Sequence, residues 1–293
     1  MNIHDMKIAV VGGDIRYIHL AQTLSEKGFE CAVYGFDTEL SESFGAVRCI
    51  SAYDAVTGAD CLILPMPCTR DGQHVSAPLC NEKIDILSLV EKAQCPIFAG
   101  MIPSQVEAYC EKHKRTVFDY SQSESLALMN AIPTAEGAIM AAMSNTDEML
   151  HGKRALITGY GRIGKILAQK LCGIGMKVTV CARKKQSIAL AYAMNCDTVS
   201  MEHLADCIGK YDIIFNTVPE IIMTPDVLDN VRKNALIIDL ASLPGGLDAS
   251  YASNLGLKAI SALALPGRYA PVSASYMLAE CITDMLGEYY NEQ

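Results

Sequence analysis

Basic residues are scarce in this chain. Lys and Arg total 24 against 33 Asp and Glu in 293 residues, a net charge of −9, and no Lys/Arg block stands out. A nucleic-acid-binding surface is normally basic, so no nucleic-acid partner is expected. The sign does not exclude an anionic small molecule, since a few placed cations suffice to hold a carboxylate. An unbroken apolar run of the ~18 residues needed to cross a bilayer is also missing, so no membrane association is expected. Tryptophan is absent, which excludes nothing. Cys-x-x-Cys pairs are absent although there are twelve cysteines, scattered from Cys31 to Cys281. That removes the common zinc and dithiol signatures, and no metal is expected. Several cysteines, such as Cys61, Cys172 and Cys181, lie in apolar runs. The expectation is buried, reduced thiols in a cytoplasmic protein. No secretory leader is expected, because Lys7–Val11 already reads as a first strand.

Short apolar runs alternate with helix-like segments throughout the chain. That pattern predicts parallel sheets with crossover helices. Strands are expected at Lys7–Val11, Cys31–Tyr34, Cys61–Leu64, Pro96–Ala99 and Thr116–Asp119. A second set is expected at Arg154–Thr158, Lys177–Cys181, Ile213–Thr217, Leu236–Leu240 and Leu257–Ser261. The fold class is therefore α/β, with two tandem doubly wound Rossmann-like domains joined by interdomain helices. The first domain spans 1–130 and the second 131–293. Asn130–Gly137 reads as the connection and Ala138–Leu150 as a crossover helix. A C-terminal helix over about 274–290 is expected to return to the first domain.

An internal repeat supports the division. Leu20-Ala21-Gln22-x-Leu24 with Gly28 matches Leu167-Ala168-Gln169-x-Leu171 with Gly175, at an offset of 147 residues. The offset puts Gly12, Asp14 and Tyr17 opposite Gly159, Gly161 and Gly164. A pyrophosphate requires a bare backbone at the second of these positions. Asp14 supplies a side chain of the wrong charge there. The first half thus has the fold without the cofactor, and by elimination it is the substrate-side domain.

The second half has the full fingerprint Gly159-Tyr160-Gly161-Arg162-Ile163-Gly164. It follows an apolar strand and opens a helix, so amides and dipole face a pyrophosphate. An NAD site carries an acidic residue at the end of the next strand. Here Ala182-Arg183-Lys184-Lys185 stands instead. A small residue followed by cations suits a 2′-phosphate, so NADP is expected and NAD is less favoured, with Arg183 as the clamp. Later strand ends complete the site: Thr217, Val218, Pro219, Ala241, Ser242 and Pro266.

This second half resembles the cofactor domain of D-2-hydroxyacid dehydrogenases. Two of that family's groups are missing. No Arg follows Asp239-Leu240-Ala241-Ser242, where the family holds its substrate carboxylate. Pro266 is followed by Gly267 rather than the acid/base His. A 2-hydroxy acid is therefore not the expected substrate.

Over its whole length the chain resembles the dipicolinate synthase A family. The segments that carry the resemblance are Val10-Val11-Gly12-Gly13-Asp14-Ile15-Arg16, Ile63-Leu64-Pro65-Met66-Pro67, Pro133-Thr134-Ala135-Glu136-Gly137-Ala138-Ile139 and Leu265-Pro266-Gly267-Arg268-Tyr269-Ala270-Pro271. The resemblance implies oxidation of dihydrodipicolinate, a dicarboxylate of the lysine pathway, to dipicolinate. It also implies a second subunit as partner, dipicolinate synthase B, and the mother-cell cytoplasm of a sporulating bacterium. Aromatisation drives such a reaction, so orientation matters more than a strong base. Candidate carboxylate donors at strand ends are Arg16, Arg70 and Arg268. Thr69, His74, Ser123, Ser125 and Thr134 are candidate hydrogen-bonding groups, and Glu136 or His19 a candidate proton acceptor. A homo-oligomer is expected. Two other readings stay open: a reductase of another small carboxylate, and a non-catalytic NADP-binding protein that activates dipicolinate synthase B. A redox sensor has no paired cysteines in the sequence to support it.

Overall fold

The structure is a computed structural model that describes residues 6–37, 45–242 and 244–291. Leu243 lies outside them. The chain divides into two units: Met1–Met129 with Pro271–Gln293, and Asn130–Ala270. The second unit therefore ends at Ala270 rather than running to residue 293.

The first unit has six parallel strands. They are β1 (Lys7–Val11), β2 (Glu30–Tyr34), β3 (Val47–Arg48), β4 (Cys61–Ile63), β5 (Ile97–Ala99) and β6 (Val117–Asp119). Their order is β3-β2-β1-β4-β5-β6. Helix α1 (Ile15–Glu26) crosses from β1 to β2, and α2 (Ala52–Val56), α3 (Ile86–Lys92) and α4 (Ser104–Lys112) link the later strands. Asp14 caps α1 by accepting the Arg16 amide, and the helix buries Tyr17, Leu20, Ala21 and Leu24. That one-face spacing is what an amphipathic helix requires.

Helix α5 (Glu124–Ser144) leads to the second sheet. It runs straight through Asn130–Gly137, which the sequence reads as a connection because Pro133 lacks an amide hydrogen. Burial outweighs that loss, since Ala135, Ala138 and Ala142 are fully enclosed. Length and composition alone would let α5 cross a bilayer. Those buried alanines and an ion pair from Glu136 to Lys170 at 2.8 Å make it a core helix instead.

The second unit repeats the first. Its strands are β7 (Arg154–Thr158), β8 (Lys177–Ala182), β9 (Asp197–Ser200), β10 (Ile213–Asn216), β11 (Leu236–Asp239) and β12 (Lys258–Ser261). Its helices are α6 (Arg162–Gly173), α7 (Lys185–Ala193), α8 (Leu204–Cys207), α9 (Pro225–Leu228), α10 (Ala249–Asn254) and α11 (Leu265–Tyr269). The order β12-β11-β10-β7-β8-β9 is the same doubly wound topology. Each sheet has one more strand than the sequence suggests. The extra strands, β3 and β9, are short and incompletely buried, so no apolar run marks them. The last helix, α12 (Pro271–Asn291), buries Leu278, Ala279, Ile282 and Leu286 in the first unit's core beside α1.

The tyrosine that replaces the third glycine has a structural task. The Tyr17 hydroxyl accepts from the Met66 amide at 2.7 Å and donates to Tyr120 Oη, which donates to the Leu64 carbonyl. Burial pushes the Tyr17 phenol up to about 12, so this chain of hydroxyls stays neutral. Tyr17→Phe should cost about 1–3 kcal/mol, because it strands a buried amide hydrogen. A urea midpoint lowered to match checks it; an unchanged midpoint would contradict it.

Candidate functional site

The glycine turn of the second unit sits at the carboxyl edge of β7. Each glycine there answers a different constraint. Gly159 has φ +89°, and a Cβ on it would stand 2.5 Å from Thr217 Oγ1. A Cβ on Gly164 would stand 2.4 Å from the Gly159 carbonyl oxygen, so α6 closes directly on the turn. Gly161 is the N-cap of α6 at φ −84° and ψ −155°, a conformation open to any residue. A Cβ on it would meet nothing within 4 Å. Neither the backbone nor the packing requires glycine at 161. A phosphate approaching the α6 amides would need this position bare.

Above this turn lies a cleft of ≈ 370 Å³. Gly159, Tyr160, Gly161, Ala182, Arg183, Lys184, Val218 and Pro219 line it, as do Ser187, Met201, Glu220 and Ile222. The last four carry no sequence signal, because they come from helix or loop positions with ordinary side chains. Ala182 is buried while Arg183 and Lys184 are exposed, so the small residue opens the corner and the cations rim it.

The other expected cofactor residues do not line the cleft. Ile163 packs against the unit's core. Arg162 opens α6 and is exposed. Thr217 donates its hydroxyl to the Thr158 carbonyl at 2.8 Å. Ala241 is buried and Ser242 exposed, and Pro266 belongs to α11.

A buried polar network fixes the strand ends around the turn. The Thr158 hydroxyl donates to Asn216 Oδ1 at 2.6 Å, and Asn216 Nδ2 donates to Asp239 Oδ1 at 2.7 Å. Asn216 Oδ1 also accepts the Val218 amide, and Nδ2 donates to the Val218 carbonyl. Asp239 accepts the amides of Ala241 at 3.1 Å and Gly246 at 2.9 Å. Three strand ends and two loops are thus locked by side chains that are nearly inaccessible. A Cβ on Gly246 would fall 1.9 Å from Asn216 Nδ2, which explains the glycine.

In the first unit, Arg16 lies at the carboxyl edge of β1. Its guanidinium grips Asp14 through Nε and Nη2, both at 2.9 Å, and its side chain is only 12% exposed. It also stands over the Tyr17 ring, 5.8 Å from the centroid. Gly12 and Gly13 both have positive φ, and a Cβ on Gly13 would strike the Tyr17 ring at 2.3 Å. The Gly-Gly-Asp-x-Arg segment is therefore one unit: Gly13 admits the tyrosine, Asp14 caps the helix, and Arg16 is held beside it.

The remaining candidates are dispersed. Arg70 is exposed and shares a second cleft of ≈ 350 Å³ with His74, Asn81 and Lys83. The His74 amide and ring hold the Asp71 carboxyl below its usual range. Thr69 accepts the Gly72 amide. Ser123 and Ser125 bond each other at 3.0 Å, and Thr134 bonds back to the Asn130 carbonyl within α5. His19 is half-buried on α1. Glu136 is exposed and tied to Lys170 rather than placed at a strand end. Arg268 is exposed, 5.5 Å from the Tyr269 ring centroid. Gly137 brings α5 against this segment, since a Cβ there would fall 2.9 Å from both Leu265 and Tyr269. Two of the segments behind the family resemblance thus pack on each other.

The doubly wound sheet and its glycine turn, matched by a dehydrogenase NAD binding domain, are those of an NAD(P)-dependent oxidoreductase. The NAD binding domain of the D-isomer specific 2-hydroxyacid dehydrogenases matches residues 126–242. The N-terminal domain of dipicolinate synthase A matches residues 7–121. Dipicolinate synthase A of Bacillus subtilis is 34% identical, with 98% of each chain covered. The crystal structure of dipicolinate synthase A from Bacillus halodurans superposes with a TM-score of 0.87 at 30% identity, covering 96% of this chain and 97% of that one. The Bacillus subtilis structure gives 0.86 at 33% identity, with 98% of each covered. The chain belongs to the dipicolinate synthase A family.

Proposed function

We propose that this protein binds NADP(H) and oxidises dihydrodipicolinate to dipicolinate, acting with dipicolinate synthase B in the mother-cell cytoplasm of a sporulating bacterium. The observation that carries the dinucleotide is Gly161, whose missing side chain serves no contact within the protein. The turn Gly159–Gly164 and the first amides of α6 hold the pyrophosphate, and Arg183 with Lys184 holds the 2′-phosphate. When bound, the nicotinamide supplies a hydride acceptor. The protein's task is then to bind and orient a dicarboxylate whose oxidised product is aromatic.

The first unit supplies the substrate-holding groups in this reading. Arg16 is the foremost carboxylate donor, because Asp14 fixes its guanidinium and little of the side chain is free to move. A pre-positioned fork loses little entropy when it binds a second carboxylate. The hydroxyacid His is not needed here, since no alcohol proton is removed.

The reaction is tested by supplying dihydrodipicolinate and NADP+ to the protein together with dipicolinate synthase B and following NADPH absorbance. Absence of NADPH at saturating substrate would overturn the proposal. Arg183→Ala should raise KM for NADP+ by about 10–100-fold, the worth of one or two charge-assisted hydrogen bonds, and change KM for NAD+ little. Equal losses for both cofactors would place Arg183 elsewhere. Arg16→Met should lower kcat/KM for substrate by about 100-fold at unchanged cofactor affinity. A variant that keeps full activity would favour the non-catalytic activating role instead.

A further inference from the structure

The sequence offers no cysteine pair, and tertiary folding supplies one. Cys172 is exposed on α6, although it lies in an apolar run. Cys196 follows α7 and is 4% exposed. Both line a cavity of ≈ 260 Å³ together with Tyr160, Ile166, Leu190 and Met194. Burial first, then Cys172, pushes the Cys196 thiol up to about 11. The Tyr160 phenol is raised by burial and then by both cysteines. Tyr160 is also the second residue of the glycine turn and lines the nucleotide cleft. One residue therefore borders both the thiol cavity and the nucleotide cleft.

We propose that Cys172 and Cys196 form an oxidisable dithiol, closed to a disulfide by a hydroperoxide, and that closure weakens dinucleotide binding through Tyr160. Exposed Cys172 reacts first, since access and thiolate character govern attack. Its sulfur attacks the peroxide, an S–O bond forms, the O–O bond breaks, and water leaves. Cys196 sulfur then attacks Cys172 sulfur, the S–S bond forms, the S–O bond breaks, and a second water leaves with the Cys196 proton. Two thiols lose two electrons and one hydrogen peroxide becomes two waters. A disulfide requires sulfurs about 2 Å apart, closer than any contact between thiols. Closure must draw α6 and the segment after α7 together, and Tyr160 lines the cavity they share.

The test treats the intact protein with one equivalent of hydrogen peroxide, then digests it without reductant for mass spectrometry. A Cys172–Cys196 linked peptide is expected, with the intact mass lower by two hydrogens. NADP+ affinity, measured by calorimetry, should fall by about fivefold or more, within the usual range of coupling between two sites, and dithiothreitol should restore it. Cys172→Ser should form no linked peptide and keep its affinity through the treatment. Cys196→Ala, which avoids a buried hydroxyl, should leave Cys172 oxidised without a cross-link. Sulfinic Cys172 beside free Cys196 in the unaltered protein would overturn the pairing. A linked protein with unchanged affinity would overturn the coupling through Tyr160. Failure of the reduced protein to bind NADP+ would instead count against the function proposed above.

Discussion

Gly161→Val should weaken dinucleotide binding by about 100-fold or more, on the order of 3 kcal/mol, while costing the fold only about 1 kcal/mol, the disadvantage of valine at a helix N-cap. The added Cβ meets no protein atom within 4 Å, and the residue's backbone is extended. Most of the effect should fall on the ligand. Gly164→Val is the contrasting case. Its Cβ would fall 2.4 Å from the Gly159 carbonyl oxygen, so the turn must move and stability should drop by several kcal/mol. Calorimetric affinity and thermal melting on the two variants separate the outcomes. A Gly161→Val protein that binds cofactor normally would remove the main support for a pyrophosphate at this turn.

Asp239→Ala should destabilise the second unit by on the order of 3 kcal/mol or more. The carboxylate is 4% exposed and accepts from Asn216 Nδ2 and from the amides of Ala241 and Gly246. Truncation leaves the two backbone amides without an acceptor in a place water hardly reaches, and Asn216 Nδ2 keeps only the Val218 carbonyl. For a unit of this size the melting temperature should fall by about 10 °C. The loops after β10 and β11 would lose their common anchor, so KM for the cofactor should rise as well. Melting unchanged within a degree or two would mean that water replaces the carboxylate.

The alternation of apolar runs with helical segments marks both sheets and nearly every central strand, because central parallel strands are buried on both faces and read as unbroken hydrophobic runs. Edge strands β3 and β9 leave no such mark. The Asn130–Gly137 segment shows the converse failure. Its proline signals a break locally, yet three buried alanines carry α5 through it. Single-residue propensity is a weak force against the burial of a helix face.

The class of the protein is legible without coordinates. Three glycines at fixed spacing between an apolar strand and a helix admit few uses, and the repeat that replaces them with Gly12, Asp14 and Tyr17 tells the two halves apart. These are local features, since the turn, the helix start and the side-chain volume all lie within six residues. Which candidates meet is a matter of tertiary packing. Folding joins Thr158, Asn216 and Asp239 from three strands, sets Tyr17 against Tyr120, and places Cys172, Cys196 and Tyr160 on one cavity. It also ties Glu136 to Lys170 and leaves Arg70 and Arg268 exposed. The residues in these contacts lie far apart along the chain. Which of them form is set by how helices pack on a twisted sheet, and no spacing along one strand or one helix encodes that.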